Sequence, residues 1–118
     1  MQERRRAVRL AAWIPIAYRL EGREGMSHSL TRNLSEVGMS LLAETYLPPG
    51  TRMQIVMEQS SCPSLRLQGT VVWSEPLVAN GQGSPRAYES GVEFVDITSE
   101  QRKEVMLYAV YHPPRFET

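Results

Sequence analysis

Six residues near the start of the chain, Arg4-Arg5-Arg6-Ala7-Val8-Arg9, contain four arginines and no lysine. A guanidinium group is planar and forms paired hydrogen bonds with a phosphate or with the O6 and N7 atoms of guanine. The first nine residues carry a net charge of +3, whereas the rest of the chain, with nine basic and twelve acidic side chains, carries −3. The sequence therefore predicts a cationic arm (residues 1–9) on a mildly acidic body, and an anionic ligand.

A second group of polar residues lies in the stretch Asn33-Leu34-Ser35-Glu36-Val37-Gly38. Asn and Ser side chains favour local turns, because they bond to nearby backbone groups. Gly38 permits a positive φ or the close approach of a ligand or another backbone. The same residues are typical of a tight hairpin corner. Both interpretations, ligand site and structural turn, stay open at this point.

Few side chains of the types used in catalysis or metal binding are present. The chain has one Asp (Asp96), one Lys (Lys103), two His (His28 and His112) and one Cys (Cys62). No pair of residues has metal-ligand spacing, and no phosphate-binding glycine loop is present. We therefore expect no enzymatic activity, no metal and no cofactor. A lone Cys favours the reducing cytoplasm, and no apolar run reaches the roughly 18 residues of a membrane span, so no membrane insertion is expected.

Short alternating segments make up most of the chain. Apolar or small residues occupy every even position from Leu10 to Leu20, which predicts a strand. Because Pro15 cannot donate to a ladder, this strand is either an edge or has an irregular start. Further strands are predicted over 26–32, 39–43, 52–58, 65–73 and 88–94. The segments 59–64 and 74–86 are predicted as loops, the second a mobile loop or lid. Gly69 predicts a bulge or bend in its strand.

The end of the barrel sequence carries the one helical pattern. Thr98-Ser99-Glu100-Gln101 forms a capping box, and Val105, Tyr108 and Ala109 then recur at helical spacing. The predicted fold is a mainly β domain, a six-stranded antiparallel β-barrel with a C-terminal α-helix. Its predicted parts are the arm (residues 1–9), the barrel (residues 10–97) and the helix (residues 98–112), one domain in total.

These residues resemble the PilZ domain, a bacterial receptor module for the second messenger cyclic di-GMP. The family pattern is R-x-x-x-R ahead of the first barrel strand and [D/N]-x-S-x-x-G after it. Arg5 and Arg9 match the first motif, and Asn33, Ser35 and Gly38 match the second. The closing strands, Gly69–Trp73 and Gly91–Phe94, are also similar to those of the family, so the resemblance covers essentially the whole chain. It implies the family's split barrel with a C-terminal helix.

The resemblance also implies a function and a set of site residues. The expected ligand is cyclic di-GMP, which would order the arm against the barrel and let the protein act as an adaptor for an unidentified downstream protein. In the family, an aromatic residue near the position of Trp73 can stack on a guanine, so the resemblance implies this role for Trp73. The alternative is that Trp73 packs in the barrel core or at the barrel rim. Arg4, directly before the matched pair, implies two stacked ligand molecules per chain, unless it is merely solvated.

Two alternatives come from other classes of protein. A small barrel with a basic arm is also typical of modules that bind single-stranded nucleic acid. Against this, the chain has only two Phe and two Trp, and its body is net acidic, so nucleic acid is not the expected partner. The other alternative is a PilZ module that binds proteins without a ligand, although every matched motif residue is present.

Overall fold

The computed structural model describes residues 10–59, 62–77 and 87–111. The predicted arm, with Arg4, Arg5 and Arg9, lies outside these residues. Seven strands and one helix form in the described part: β1 (Leu10–Ala11), β2 (Pro15–Leu20), β3 (Ser27–Leu34), β4 (Gly38–Ala43), β5 (Arg52–Gln59), β6 (Cys62–Leu77), β7 (Ala87–Val95) and α1 (Ser99–Tyr111).

The strands close into a barrel in which all neighbours are antiparallel. The sheet order is β1-β3-β2-β5-β6-β7-β4, and a further pairing between β3 and β4 joins its two ends. Six strands thus form the closed ring, while the two-residue β1 pairs with β3 beside β2. The predicted fold, a six-stranded antiparallel barrel followed by one helix, is confirmed.

The break between β1 and β2 is stabilised by one buried side chain. The hydroxyl of Thr31 accepts a hydrogen bond from the backbone N–H of Ile14 (3.0 Å) and donates one to the carbonyl of Ala12 (2.5 Å). The backbone also bonds across the break, from the Ala12 N–H to the Arg32 carbonyl at 3.1 Å and from the Thr31 N–H to the Ile14 carbonyl at 3.0 Å. The predicted irregular start at Pro15 is confirmed, since β1 and β2 are separate strands, whereas the edge alternative is wrong, because β2 pairs with both β3 and β5.

The barrel interior contains the alternating apolar residues that the sequence indicated. Ile14, Ile16 and Tyr18 are all at most 5% exposed. The helix α1 packs on this core through buried Val105, Tyr108 and Ala109, and the Tyr108 hydroxyl donates to the Met57 carbonyl at 2.9 Å. Burying an apolar side chain of this size stabilises a fold by about 1.5–3 kcal/mol.

The capping box at the start of α1 is confirmed. The backbone N–H of Gln101 donates to the Thr98 hydroxyl at 3.0 Å, and the Gln101 side-chain carbonyl accepts from the backbone N–H of Thr98 at 3.0 Å. Two of the helix's first N–H groups thereby gain partners, which fixes where the chain leaves the barrel.

Three further details of the sequence prediction are wrong. The segment 74–77 is strand, because β6 continues to Leu77; its last residues pair only with β7, so Pro76 lies on an edge where a missing N–H costs nothing. The predicted loop 59–64 is a tight hairpin, with Gln59 opposite Cys62. Gly69 pairs in register on both sides, and the bulge lies between Val71 and Trp73 instead.

Candidate ligand-binding site

The segment Asn33–Gly38, here called the motif turn, connects β3 to β4 at the closing seam of the barrel. Ser35 organises it. Its hydroxyl accepts hydrogen bonds from the backbone N–H groups of Val37 (3.1 Å) and Gly38 (3.2 Å), and it also contacts the Gly38 carbonyl at 3.3 Å. The side chain is 2% exposed. The Ser35 hydroxyl therefore has a structural role inside the turn.

Gly38 is required by the close approach of another strand. Its φ is not positive, so conformational freedom is not the reason for a glycine here. A Cβ atom at this position would lie 2.3 Å from the backbone carbonyl oxygen of Val92, on β7. Since a backbone atom cannot rotate away, β4 and β7 pair at this point only because residue 38 has no side chain. Of the two explanations given for Gly38 above, close approach of backbone is observed.

The short strand β1 brings the start of the barrel to the motif turn. Leu10 lies opposite Leu34, and Ala11 lies opposite Asn33. Directly bonded to Leu10 in the sequence is Arg9, the second residue of R-x-x-x-R. The described chain therefore begins beside the motif turn, although Leu10 and Leu34 are more than twenty residues apart in sequence.

Four residues form one cross-strand row on the outer face of the barrel, here called the outer row. Asn33 on β3 pairs with Ser40 on β4, Ser40 pairs with Gly91 on β7, and Gly91 pairs with Trp73 on β6. Strands lie about 4.8 Å apart, so Asn33 and Trp73 are separated by roughly 14 Å across the row. Both end residues, Asn33 and Trp73, are predicted site residues. In the structure they lie on one surface with two small residues between them.

Trp73 lies flat on the outside of the barrel. A Cβ atom on Gly91 would be 2.2 Å from the Trp73 indole Nε1 and 2.3 Å from its Cε2, so the ring occupies the space that a side chain at residue 91 would need. Trp73 is partly exposed. It is therefore neither a core residue nor fully solvated. It rests on the surface that also carries Asn33.

Three further residues beside the motif turn were not identified from the sequence. The guanidinium of Arg32 lies 5.3 Å from the ring centre of Trp13, an arrangement that allows a cation–π contact, and it forms an ion pair with Glu89 at 3.3 Å. Trp13 is 44% exposed. The one sequence signal for it was its position between buried Ala12 and Ile14, which places it on the outer face of the strand.

The described residues give no indication of a metal centre, since no three His, Cys, Asp or Glu side chains among them are grouped to hold an ion. Within the same residues, no helix has both the length and the apolar character needed to cross a membrane. The groups in position for ligand chemistry are the Asn33 amide, the Trp13 and Trp73 rings and the Arg32–Glu89 pair.

Comparison with known proteins agrees with this geometry. The PilZ domain family model matches residues 3–109. No curated protein matches the sequence. Among solved structures, the Bacillus subtilis inhibitor of motility MotI/DgrA has a TM-score of 0.72 at 14% identity, over 93% of this chain and 51% of its own, so this chain spans about half of its length.

Two further structures are single PilZ domains. The PilZ domain of Escherichia coli YcgR, solved with c-di-GMP, has a TM-score of 0.68 at 16% identity and covers 88% of this chain and 87% of its own. The PilZ domain of CeSA from a cellulose-synthesizing bacterium has a TM-score of 0.60 at 16% identity, over 89% and 99% of the two chains. At such identities, these similarities establish the shared fold. The family match over residues 3–109, which is most of the chain, shows that this chain belongs to the PilZ domain family.

Proposed function

We propose that this chain is a receptor for cyclic di-GMP. The observation that supports this most directly is the pairing of β1 with β3, which puts Ala11 opposite Asn33. Arg9, the last residue of the R-x-x-x-R segment, directly precedes Leu10 in the sequence. This supports the proposal that the arginines and the [D/N]-x-S-x-x-G turn contact one ligand. The structure of the YcgR PilZ domain with c-di-GMP adds support from a protein of the same fold.

The proposed contacts follow from the chemistry of each group. Arg5 and Arg9 bond phosphate oxygens or the O6 and N7 atoms of guanine with their paired N–H donors. Asn33 bonds a guanine edge with its amide. In an extended arm, the Cα atoms of Arg5 and Arg9 are about 13 Å apart, enough to span the ligand. Trp73 stacks on a guanine at the far end of the outer row.

The proposed response is ordering of the arm over the outer row. The arm holds four arginines but few apolar side chains, so it has little to bury without a ligand. Binding would hold it against the barrel and present a changed surface to a downstream protein. A ligand shifts a conformational equilibrium only by its differential affinity for the two states, here the free arm and the ordered arm. We therefore propose that the ordered arm contacts the ligand directly.

The proposal also covers stoichiometry, catalysis and location. Arg4 precedes the matched pair and supplies an extra cation for the four phosphates of two stacked ligand molecules, so we propose two molecules per chain. The protein transmits a signal without a reaction of its own, needs no cofactor, and acts in the cytoplasm. Its surface outside the arm is net acidic, which disfavours nucleic acid as the ligand.

Isothermal titration calorimetry with purified cyclic di-GMP tests the proposal. We expect saturable binding at micromolar ligand, with no saturable binding of a single-stranded oligonucleotide at the same salt concentration. Cyclic di-AMP serves as a matched control, since it has the same phosphates but adenine bases. Absence of cyclic di-GMP binding at tens of micromolar would refute the proposal, and comparable binding of the oligonucleotide would favour the nucleic-acid alternative.

A further inference from the structure

The outer row contains a buried polar atom that the motifs do not account for. Among the residues that the structure describes, the Ser40 hydroxyl is the buried side-chain group without a hydrogen-bond partner. The residue is 0% exposed. A buried, unpaired hydroxyl destabilises a fold, so a protein rarely keeps one at a position where alanine would fit equally well.

The position of Ser40 in β4 determines which face of the barrel its hydroxyl is on. Its sequence neighbours Met39 and Leu41 are buried in the barrel core, so Ser40 itself faces the outer side. On that side its cross-strand neighbours are Asn33 and Gly91, and the Trp73 indole lies on Gly91. Cross-strand neighbours have Cβ atoms about 5 Å apart, so the Ser40 hydroxyl lies between the Asn33 amide and the Trp73 ring.

The sizes of the four side chains match a recess for a flat ring. Asn33 and Trp73, at the two ends of the outer row, are large, whereas Ser40 and Gly91 between them are small. In this structure the indole fills the place above Gly91. A purine can lie over the two small residues only if that indole moves away from Gly91, the cross-strand neighbour of Ser40.

We propose that Ser40 is a ligand-binding residue of this site, screened by Trp73. When the indole moves off Gly91 to stack on a guanine, the Ser40 hydroxyl is uncovered and donates a hydrogen bond to that guanine or its phosphate. The proposal rests on the proposed function, since it names a further contact for the same ligand. It explains why a hydroxyl without a protein partner occupies the centre of the outer row.

Two measurements on Ser40→Ala separate this role from a structural one. Removing an unpaired buried hydroxyl should leave the unfolding temperature unchanged or raise it, because nothing in the described barrel bonds to it. The same substitution should weaken cyclic di-GMP binding about tenfold, since it removes a hydrogen bond to the ligand. A Ser40→Ala variant that binds as tightly as the parent would overturn the proposal, whereas a parent that does not bind would refute the proposed function.

Ser90 provides the matched control. It is also a serine at 0% exposure, it neighbours Gly91, and its hydroxyl is 3.0 Å from the hydroxyl of Ser74 on the inner side of the barrel. Ser90→Ala should therefore lower the unfolding temperature and leave the affinity for cyclic di-GMP unchanged. Equal losses of affinity in the Ser40 and Ser90 variants would show a general effect of barrel stability and would overturn the proposal.

The movement of Trp73 is tested separately by fluorescence. Trp13 and Trp73 are the two tryptophans of the chain, so Trp13→Phe leaves Trp73 as the sole reporter. Saturating cyclic di-GMP should change the intensity or wavelength of its emission, and iodide quenching should change with it. A spectrum that stays constant while calorimetry records binding would contradict the screening of Ser40 by Trp73.

Discussion

At the scale of single residues, the motif turn is built by contacts that need no ligand. The Ser35 hydroxyl accepts from two backbone N–H groups of its own turn, and Gly38 lets the Val92 carbonyl approach. Asn33 lies on the outer row instead, where it pairs with Ala11 of β1 and with Ser40 of β4. Within one six-residue motif, two residues thus shape the turn and one faces the proposed ligand.

Ser35→Ala should act mainly on stability, by lowering the free energy of unfolding, and less on the affinity for cyclic di-GMP. The substitution leaves the N–H groups of Val37 and Gly38 without their acceptor, at a cost of about 1–2 kcal/mol in the free energy of unfolding. Urea denaturation measures this cost. Ser64→Ala is the control, because Ser64 is an exposed serine on β6 and its loss should change little. Equal stability of the two variants would show that the turn does not depend on the hydroxyl.

Gly38→Ala should be more damaging than Gly69→Ala, although both add one methyl group to a strand. At residue 38 the new Cβ meets a backbone oxygen at 2.3 Å, whereas at residue 69 it meets a γ-methyl of buried Val92 at 2.4 Å, which can move only if this stiff β-branched side chain changes rotamer. We expect a loss of about 2–3 kcal/mol or more for Gly38→Ala and a smaller one for Gly69→Ala. Thermal unfolding of both variants tests the order, and the reverse order would contradict the packing described here.

Among the strands and the helix, the sequence correctly predicted the features that are determined by residues close together in the chain. The strand alternation before Leu20 and the Thr98–Gln101 cap were both correct, because each is decided within a few residues. The ion pair of Arg32 with Glu89 joins residues 57 apart, and the pairing of Gly38 with β7 spans a similar distance, so neither leaves a local signal. The prediction of a bulge at Gly69 is wrong for a related reason. A glycine in a strand indicates a packing constraint, but it does not indicate whether the constraint is a bulge or a close approach of another residue.

The arm is the element on which binding should depend most. Arg5→Ala and Arg9→Ala should each weaken cyclic di-GMP binding roughly ten- to a hundredfold, since each removes a charged hydrogen bond worth about 1.5–3 kcal/mol. Neither change should alter thermal stability, because the arm precedes the barrel strands. Calorimetry measures both affinities.

Arg6→Ala controls for plain charge in the same experiment. It removes one positive charge from the arm but lies outside the R-x-x-x-R pair. We expect only a severalfold loss of affinity, which should shrink as salt is added. If all three variants lose affinity equally, the arm attracts the ligand by charge alone and the assigned contacts are wrong.

At the scale of the whole molecule, opposite charges divide the chain, with +3 in the arm and −3 in the rest. The arm and the body therefore attract each other weakly at low salt, while a ligand with two phosphates competes for the arm. Two ligand molecules with four phosphates require more cations than one molecule does. The proposed number of bound ligands therefore depends on the whole charge distribution, and Arg4 is the residue whose loss is expected to lower it.

Titration of the unmodified chain should end at two molecules of cyclic di-GMP, and Arg4→Leu should shift the end point toward one. Native mass spectrometry counts the bound molecules directly, and equilibrium dialysis confirms the count in solution. A clean end point of one equivalent for the unmodified chain would contradict the stacked pair, whatever the variant does.

The two structural residues of the motif turn also determine what would survive if a lineage stopped using the ligand. Mutations at Arg5 or Arg9 would then be neutral, because these residues precede the barrel strands. Mutations at Ser35 or Gly38 would still be selected against, since they disturb the turn and the pairing of β4 with β7. Descendants would therefore keep the serine and glycine long after losing the arginines. If Arg5 and Arg9 bind the ligand as proposed, the arginines of the arm are the better marker of a working receptor in a newly sequenced relative, because the serine and glycine also serve the barrel.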